Sequence, residues 1–179
     1  MKKHIDVFDY TGQIIKALPG GILLTTKSGD KVNTMTIGWG HIGIEWNKLI
    51  FVAYVRGKRF TKNMLDETME FSVNVPVGEF DKNIVGLCGT KSGRDMDKIE
   101  ALGLTLEEPE VIGAPGIKEL PLTLECKVLY RQLQDADKIP EEIKAKCYLG
   151  HTGGAKPEND DDIHIMYFGE IVSAYIIEG

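Results

Sequence analysis

Cysteine is scarce in this chain. Cys88, Cys126 and Cys147 stand far apart with no C-x-x-C pair, and His4, His41, His151 and His164 are equally scattered. That spacing argues against a disulfide framework and against a tetrahedral zinc or other metal site, and it predicts reduced, mostly buried thiols. Long apolar runs are missing too: nothing approaches the roughly eighteen consecutive apolar residues that span a bilayer, so no membrane partner is expected. The start, MKKHIDVFDY, interrupts any apolar stretch with Asp6 and Asp9 and is not a signal peptide, which makes the cytoplasm the expected location. Neither G-x-x-x-x-G-K-[ST] nor G-x-G-x-x-G occurs, which removes the two commonest nucleotide loops. No Ser/His/Asp order, catalytic carboxylate pair or activated cysteine can be picked out by spacing.

What is present is a chain of 179 residues, 42% hydrophobic and 27% charged, long enough for one sizeable core and best read as a single domain over 1–179. The net charge of −6 hides a strong local asymmetry. Residues 27–62 carry a balance of +5, whereas residues 99–179 carry −9. A basic patch this local, on so acidic a chain, does not provide the extended basic face that a nucleic-acid backbone needs. It suits a small anion.

Residues 21–39 read as a hairpin turning at Ser28-Gly29-Asp30, and Leu49 to Val55 as a strand buried on both faces. Thr61 to Met69 reads as a short helix with Thr61 as N-cap, followed by a strand over Glu70 to Val75 that Pro76 ends. Helical spacing predicts a second helix over 79–89 and a third over 95–102. Leu122, Leu124, Cys126 and Val128 alternate onto one face of a further strand, and the last stretch, 163–179, is a strand with Gly169 as a bulge or close-approach point. Residues 150–162, rich in Gly, Pro and acids, read as an exposed loop. About seven strands and two or three short helices, with no regular alternation between them, favour an antiparallel barrel with helices at its edges.

Four stretches can carry chemistry. In YVRGKRFTKN, residues 54–63, Arg56, Lys58, Arg59 and Lys62 follow a buried strand and lead into a helix, where unpaired N–H groups, the Thr61 hydroxyl and guanidinium forks can gather a phosphate. The plain alternative is a solvated basic loop. In NTMTIGWGHIG, residues 33–43, Trp39 sits between Gly38 and Gly40, a pattern that either admits a planar heterocycle to the backbone or marks a core tryptophan between bulges. GTKSGRDMDK, residues 89–98, sets Lys91 and Arg94 in a Gly- and Ser-rich loop before a helix, suited to an anion or to capping that helix. His164 follows Asp160, Asp161 and Asp162, as a proton donor, a substrate contact or a hydrogen-bonded structural histidine.

Taken in order, NTMTIGW (33–39), YVRGKRFT (54–61), FSVNVP (71–76), GTKSGRD (89–95) and HIMYFGEI (164–171) resemble the flavin reductase-like, FMN-binding split-barrel family, in the branch that includes flavoredoxin. The resemblance covers most of residues 15–178. It implies a mainly β fold, a six-stranded antiparallel split β-barrel of Greek-key type with a few short flanking helices. It further implies a homodimer with FMN near the subunit interface. Asn33 and the strand Met35, Thr36, Ile37, Gly38 and Trp39 would face the isoalloxazine, Arg56, Arg59 and Thr61 would hold the phosphate, and Lys91, Ser92 and Gly93 would border the flavin from the same or the neighbouring subunit. His164 would lie near the nicotinamide or flavin face as the catalytic candidate.

The implied function is an FMN-binding redox protein of flavoredoxin or flavin reductase type. It would pass electrons between NADH, NADPH or a reduced partner, the bound FMN, and a small-molecule or protein acceptor. Two departures from the better-studied reductase branch, Gly38-Trp39-Gly40 in place of Ser-rich text and the more basic approach to Thr61, leave FMN binding in place and count against the free-flavin reductase reaction, and three alternatives stay open. These are a non-catalytic electron carrier or sensor, a pyridoxamine-phosphate-oxidase-like oxidase, and a barrel without cofactor that serves as an interaction domain.

Overall fold

A computed structural model describes residues 1–149 and 163–178, so the loop expected over 150–162 lies outside the described residues. Among the described residues ten strands form: β1 (Lys2–His4), β2 (Ile22–Ser28), β3 (Lys31–Ile37), β4 (Gly40–Glu45), β5 (Lys48–Arg56), β6 (Glu70–Val75), β7 (Leu106–Glu107), β8 (Gly116–Ile117), β9 (Leu122–Leu133) and β10 (His164–Ile177). Five short helices accompany them: α1 (Thr11–Ala17), α2 (Phe60–Thr68), α3 (Lys82–Thr90), α4 (Lys98–Leu102) and α5 (Glu141–Lys144). The main sheet is antiparallel, in the order β3-β2-β6-β9-β10-β5-β4 with β1 added along β10; β7 and β8 pair separately.

The six strands of the expected split barrel are β2, β3, β5, β6, β9 and β10, each of which sends side chains into the main core. β1 and β4 supply none of its buried residues and extend the sheet as outer strands. Alternation decides which face turns inward: Leu122, Leu124, Cys126 and Val128 of β9 all enter the core. Ile50 through Ala53 of β5 are buried on successive positions, as the unbroken apolar run predicts. Gly169 marks a register shift between β10 and β9, and a Cβ there would come within 2.7 Å of the Phe71 ring, so the close approach read from the sequence is real. A smaller cluster, with Leu23, Ile84, Cys88 and Ile117, fastens α3 and β8 to the outer side of β2. The sheet path ends at β3 and at β4, and β4 pairs β5 only as far as Ala53, so Tyr54 to Arg56 of β5 lie across a seam from β3 with no ladder between them. That seam is where the site lies.

The chain's start holds more structure than its composition announced: β1, a 3₁₀ turn at Val7–Tyr10 and α1, whose Ile14 is fully buried. The α2 prediction needs one correction. The helix begins at Phe60 with Arg59 in the extended N-cap position, and Thr61 lies inside the first turn, so its hydroxyl does not cap the helix. Phe60, an aromatic at the helix start, packs among basic side chains of two other segments and pulls the start forward by two residues.

The other end of α2 is tied down by Asp66, which accepts from the Tyr167 hydroxyl at 2.8 Å and pairs with Lys62 and Arg131. Burial alone would raise its pKa, but the Lys62 and Tyr167 hydrogen bonds and the Arg131 charge outweigh that and lower it. A carboxylate held lower in the folded state than in the unfolded chain stabilises the fold above the ordinary value near 4 and loses that contribution as pH falls through the folded value. Melting curves of the wild type are therefore expected to fall more steeply between about pH 5 and 3 than those of Asp66→Asn. Parallel curves would show that the network does not hold α2.

Candidate functional site

Two adjoining hollows lie in the seam. One, about 160 Å³, is lined by Met35, Thr36, Ile37, Gly38 and Trp39 from β3 and its exit, and by Tyr54, Arg56, Arg59 and His164. The other, about 220 Å³, is lined by Met35, Arg56, Arg59 and Thr61 and by the 90–94 loop with Lys98. Met35, Arg56 and Arg59 wall both, so the hollows form one cleft with a ring-sized end and a cationic end.

The cationic end is built by β5 running out at Arg56, a turn over 57–59, and the start of α2, which no side chain caps. Its first-turn N–H groups add the positive end of the helix dipole. Asn33 donates from Nδ2 to the Thr61 hydroxyl at 2.7 Å, which leaves the Thr61 proton free to reach a ligand. Arg56 donates to the Cys147 carbonyl at 2.6 Å. Arg59, Arg94 and Lys98 form no ion pair among the described residues. Burial, with the Arg56 charge beside it, pushes the Arg59 pKa down. Lys98 is 4% exposed, and its ammonium meets the Lys91 carbonyl at 3.4 Å. Burial lowers its pKa, Cys88 pulls against that, and Arg59 adds a smaller lowering. Cys88 is itself pushed up to about 11 by burial and is an inert thiol at neutral pH. Half-buried and buried cations without counter-charges cost folding energy unless an anion joins them.

At the ring-sized end, Trp39 is 43% exposed and therefore not a core tryptophan. Its indole lies 4.6 Å from the His164 imidazole, centre to centre. Gly40 answers to the barrel instead of the ligand, since a Cβ there would press the Phe51 ring and the Val52 carbonyl at 3.0 Å. His164 opens β10 opposite Arg56 of β5, is 7% exposed, and has Nδ1 2.9 Å from the Tyr148 hydroxyl. The nearby acids expected at 160–162 lie outside the described residues.

Of the residues singled out in the sequence, Met35, Thr36, Ile37, Gly38, Trp39, Arg56, Arg59, Thr61, Lys91, Ser92, Gly93 and His164 all line this cleft, and Lys91 to Gly93 do so from the same chain as Arg59. Thr36 lines the wall with its hydroxyl already donated to the Val85 carbonyl at 2.7 Å. Asn33 opens instead into a neighbouring hollow of about 410 Å³ along the other side of Gly93, and reaches the cleft only through Thr61. That neighbouring space is larger, but Asp95 and Asp97 dilute its basic lining, and the cationic end of the seam is the better anion site. Gly93 is indispensable where it stands: a Cβ would fall 2.1 Å from Asn33 Oδ1 and 2.9 Å from the Phe60 ring. Lys98 and Tyr148 were not legible in the sequence. Lys98 follows the capping Asp97 and reads as a surface charge on a first helical turn; Tyr148 lies in a stretch without periodicity. Among the described residues no group of three or more His, Cys, Asp or Glu could hold a metal, and no helix is long and apolar enough to cross a membrane.

An antiparallel split barrel whose open seam joins a flat slot to a basic pocket is the class that fold and cleft define. The chain belongs to the flavin reductase-like family: the model of the flavin reductase like domain matches residues 16–179. Among solved structures it is similar to flavoredoxin of Methanosarcina acetivorans, at 25% identity and a TM-score of 0.62 over 88% of this chain and 68% of that one. Flavoredoxin of Desulfovibrio vulgaris shares the fold at 21% identity and a TM-score of 0.64, over 88% and 69% of the two chains. An uncharacterized protein of Archaeoglobus fulgidus is 35% identical over 100 residues, 56% of this chain and 55% of that protein. The match thus spans just over half the length of that curated relative.

Proposed function

We propose that the chain binds FMN in the seam and works as a redox protein of flavoredoxin or flavin reductase type, exchanging electrons with NAD(P)H or a reduced partner on one side and an acceptor on the other. The observation that carries this reading is the basic end of the cleft, where Arg59 and Lys98 are buried or half-buried with no ion-pair partner among the described residues. A phosphate supplies the missing charge, and the flat slot beside it takes a planar ring system. FMN joins those two parts, and when bound it supplies hydride and one-electron chemistry that no side chain here offers.

The residues then divide the work. Arg59, Arg56, Lys98 and the Thr61 hydroxyl hold the phosphate with the first turn of α2. Met35 to Trp39 form one wall of the ring slot, and Trp39 shields it from water. His164 borders the slot, where it can hold or pass a proton. Ile44, Trp46 and Tyr130 stay exposed on the outer face of β4 and β9, with Trp46 and Tyr130 in edge contact, and this apolar face supports pairing with a second copy.

The visible spectrum of the purified protein tests the reading directly. Flavin absorption as isolated, or on adding FMN, is the expected result, with a scattering mass twice that of the chain. A colourless protein that takes up no FMN sinks it. Anaerobic mixing with NADH and NADPH then separates the roles, because bleaching identifies a reductase and persistence of the yellow form at millimolar nucleotide identifies a carrier.

A further inference from the structure

The hollow beside the cationic end, about 410 Å³, has the size of a ligand pocket and lies outside the cleft that FMN would fill. It continues the line of the seam. Gly93, Arg94 and Lys98 wall both this hollow and the cationic end, much as Met35, Arg56 and Arg59 join the cationic end to the ring slot. Asn33 ties the two spaces together, since it borders the hollow and donates to the Thr61 hydroxyl at 2.7 Å. Lys31 and Arg94 flank the Phe60 ring, with their cationic groups 4.5 and 5.5 Å from its centre, and Arg94 also donates to the Lys58 carbonyl at 3.1 Å. Two positive charges are thereby fixed at the junction, beside the buried ammonium of Lys98.

The rest of the lining is not that of a bare anion site. Lys31, Val32, Asn33 and Thr34 all border the hollow, and because successive strand residues point to opposite faces, four in a row mark a space that runs along a strand edge. β3 ends the sheet path, so that edge has no strand partner and offers backbone N–H and C=O groups to the rim of a heterocyclic base. Val32, Met96 and Ile99 supply apolar surface for its flat face. Of the two carboxylates, Asp97 is committed to the N–H groups of Ile99 and Glu100. Asp95 is exposed, has no side-chain partner among the described residues, and can accept from the hydroxyls of a ribose. Cations, an acceptor for a diol and a strand edge with apolar cover are together the parts that recognise a nucleotide.

We propose that this hollow is a nucleotide subsite that takes the adenosine monophosphate half of a redox dinucleotide, its phosphate held by Lys31, Arg94 and Lys98, its base along β3 and its ribose toward Asp95. The identity of the dinucleotide's other half rests on the redox reading of the cleft; the lining of the subsite does not. The same adenylate is carried by FAD, which would run through the phosphate end into this hollow, and by NADH and NADPH, which would reach it from the ring slot past bound FMN. In either case Arg94 and Lys98, common to both spaces, stand between two phosphates and offset their repulsion.

The probe is AMP, titrated by calorimetry into the FMN-loaded protein so that the phosphate end is already occupied, and saturable binding is the expected result. Met96→Trp fills the hollow and Lys31→Met removes a cation from it. Each should weaken AMP about tenfold while FMN affinity stays within about threefold, and either serves if the other folds poorly. Two further measurements assign the source of the adenylate. FAD binding at least about tenfold tighter than FMN assigns it to the flavin. Competition of AMP with NADH or NADPH in flavin reduction, with reduced nicotinamide mononucleotide the weaker donor, assigns it to the pyridine dinucleotide. No AMP binding at millimolar concentration, equal binding by wild type and both variants, or no gain of either dinucleotide over its mononucleotide would overturn the proposal. A wild type that takes up no FMN yet binds AMP, with the loss in both variants, would remove the redox reading and leave the subsite standing; FMN uptake without AMP binding would do the reverse.

Discussion

Arg59→Ala is expected to weaken FMN binding by about 1.5 to 3 kcal/mol, the scale of a charge-assisted hydrogen bond to phosphate. The size follows from where the guanidinium stands. It caps α2 with its backbone in extended geometry, is partly buried against Arg56, and has no ion-pair partner among the described residues. A solvated surface arginine would already be neutralised by water and salt, and its loss would be felt little. Here the free protein carries the cost of two neighbouring guanidiniums, and an incoming dianion converts that repulsion into attraction. The apoprotein of the variant should therefore melt at or slightly above the wild-type temperature while its FMN dissociation constant, read by quenching of flavin fluorescence, rises. The dependence on salt should also weaken, because one phosphate contact is gone. An unchanged dissociation constant would mean that the basic cluster does not face the phosphate.

How much of this was legible beforehand depended on the range of the interactions involved. Strand and helix existence follows from local period: the β5 run, the alternation over 122–128 and the glycine at 169 each state their role within a few residues. The anion site was legible as a basic stretch between a strand and a helix, but not its detail. Thr61 looked like the cap because hydroxyl residues favour that place, whereas packing of Phe60 set the helix start. Trp39 between glycines was ambiguous, because the same text fits a buried ring and a cleft wall; only the pairing of β10 with β5, which brings His164 beside it, decides. No short-range pattern announces that a lysine will be buried, or that a tyrosine 16 residues before His164 will meet its imidazole.

Lys98 gives the sharper test of whether the cleft is built for an anion. It is buried beside Cys88, its ammonium has one long hydrogen bond to the Lys91 carbonyl, and both burial and Arg59 disfavour its charge. A lysine retained for packing would be worth keeping in the apoprotein; a lysine retained for a ligand would be a liability there. Lys98→Met preserves most of the side-chain volume and removes the charge, so the apoprotein should gain about 1 kcal/mol and melt roughly 2 to 4 °C higher, while FMN affinity falls at least about tenfold. The pH dependence has a definite sign. Because the folded pKa is below that of the unfolded chain, the unfolded state binds more protons in the interval between them, and wild-type apoprotein stability rises with pH through that window. The methionine variant lacks that rise. FMN acts in the opposite direction: its phosphate favours the charged ammonium, so binding takes up protons at alkaline pH and weakens as pH climbs. Calorimetry in buffers of different ionisation enthalpy reads that proton uptake in the wild type, and none from this group should remain in the variant. Opposite movements of stability and affinity would mark Lys98 as a ligand-holding charge, and a joint loss of both would mark it as structural.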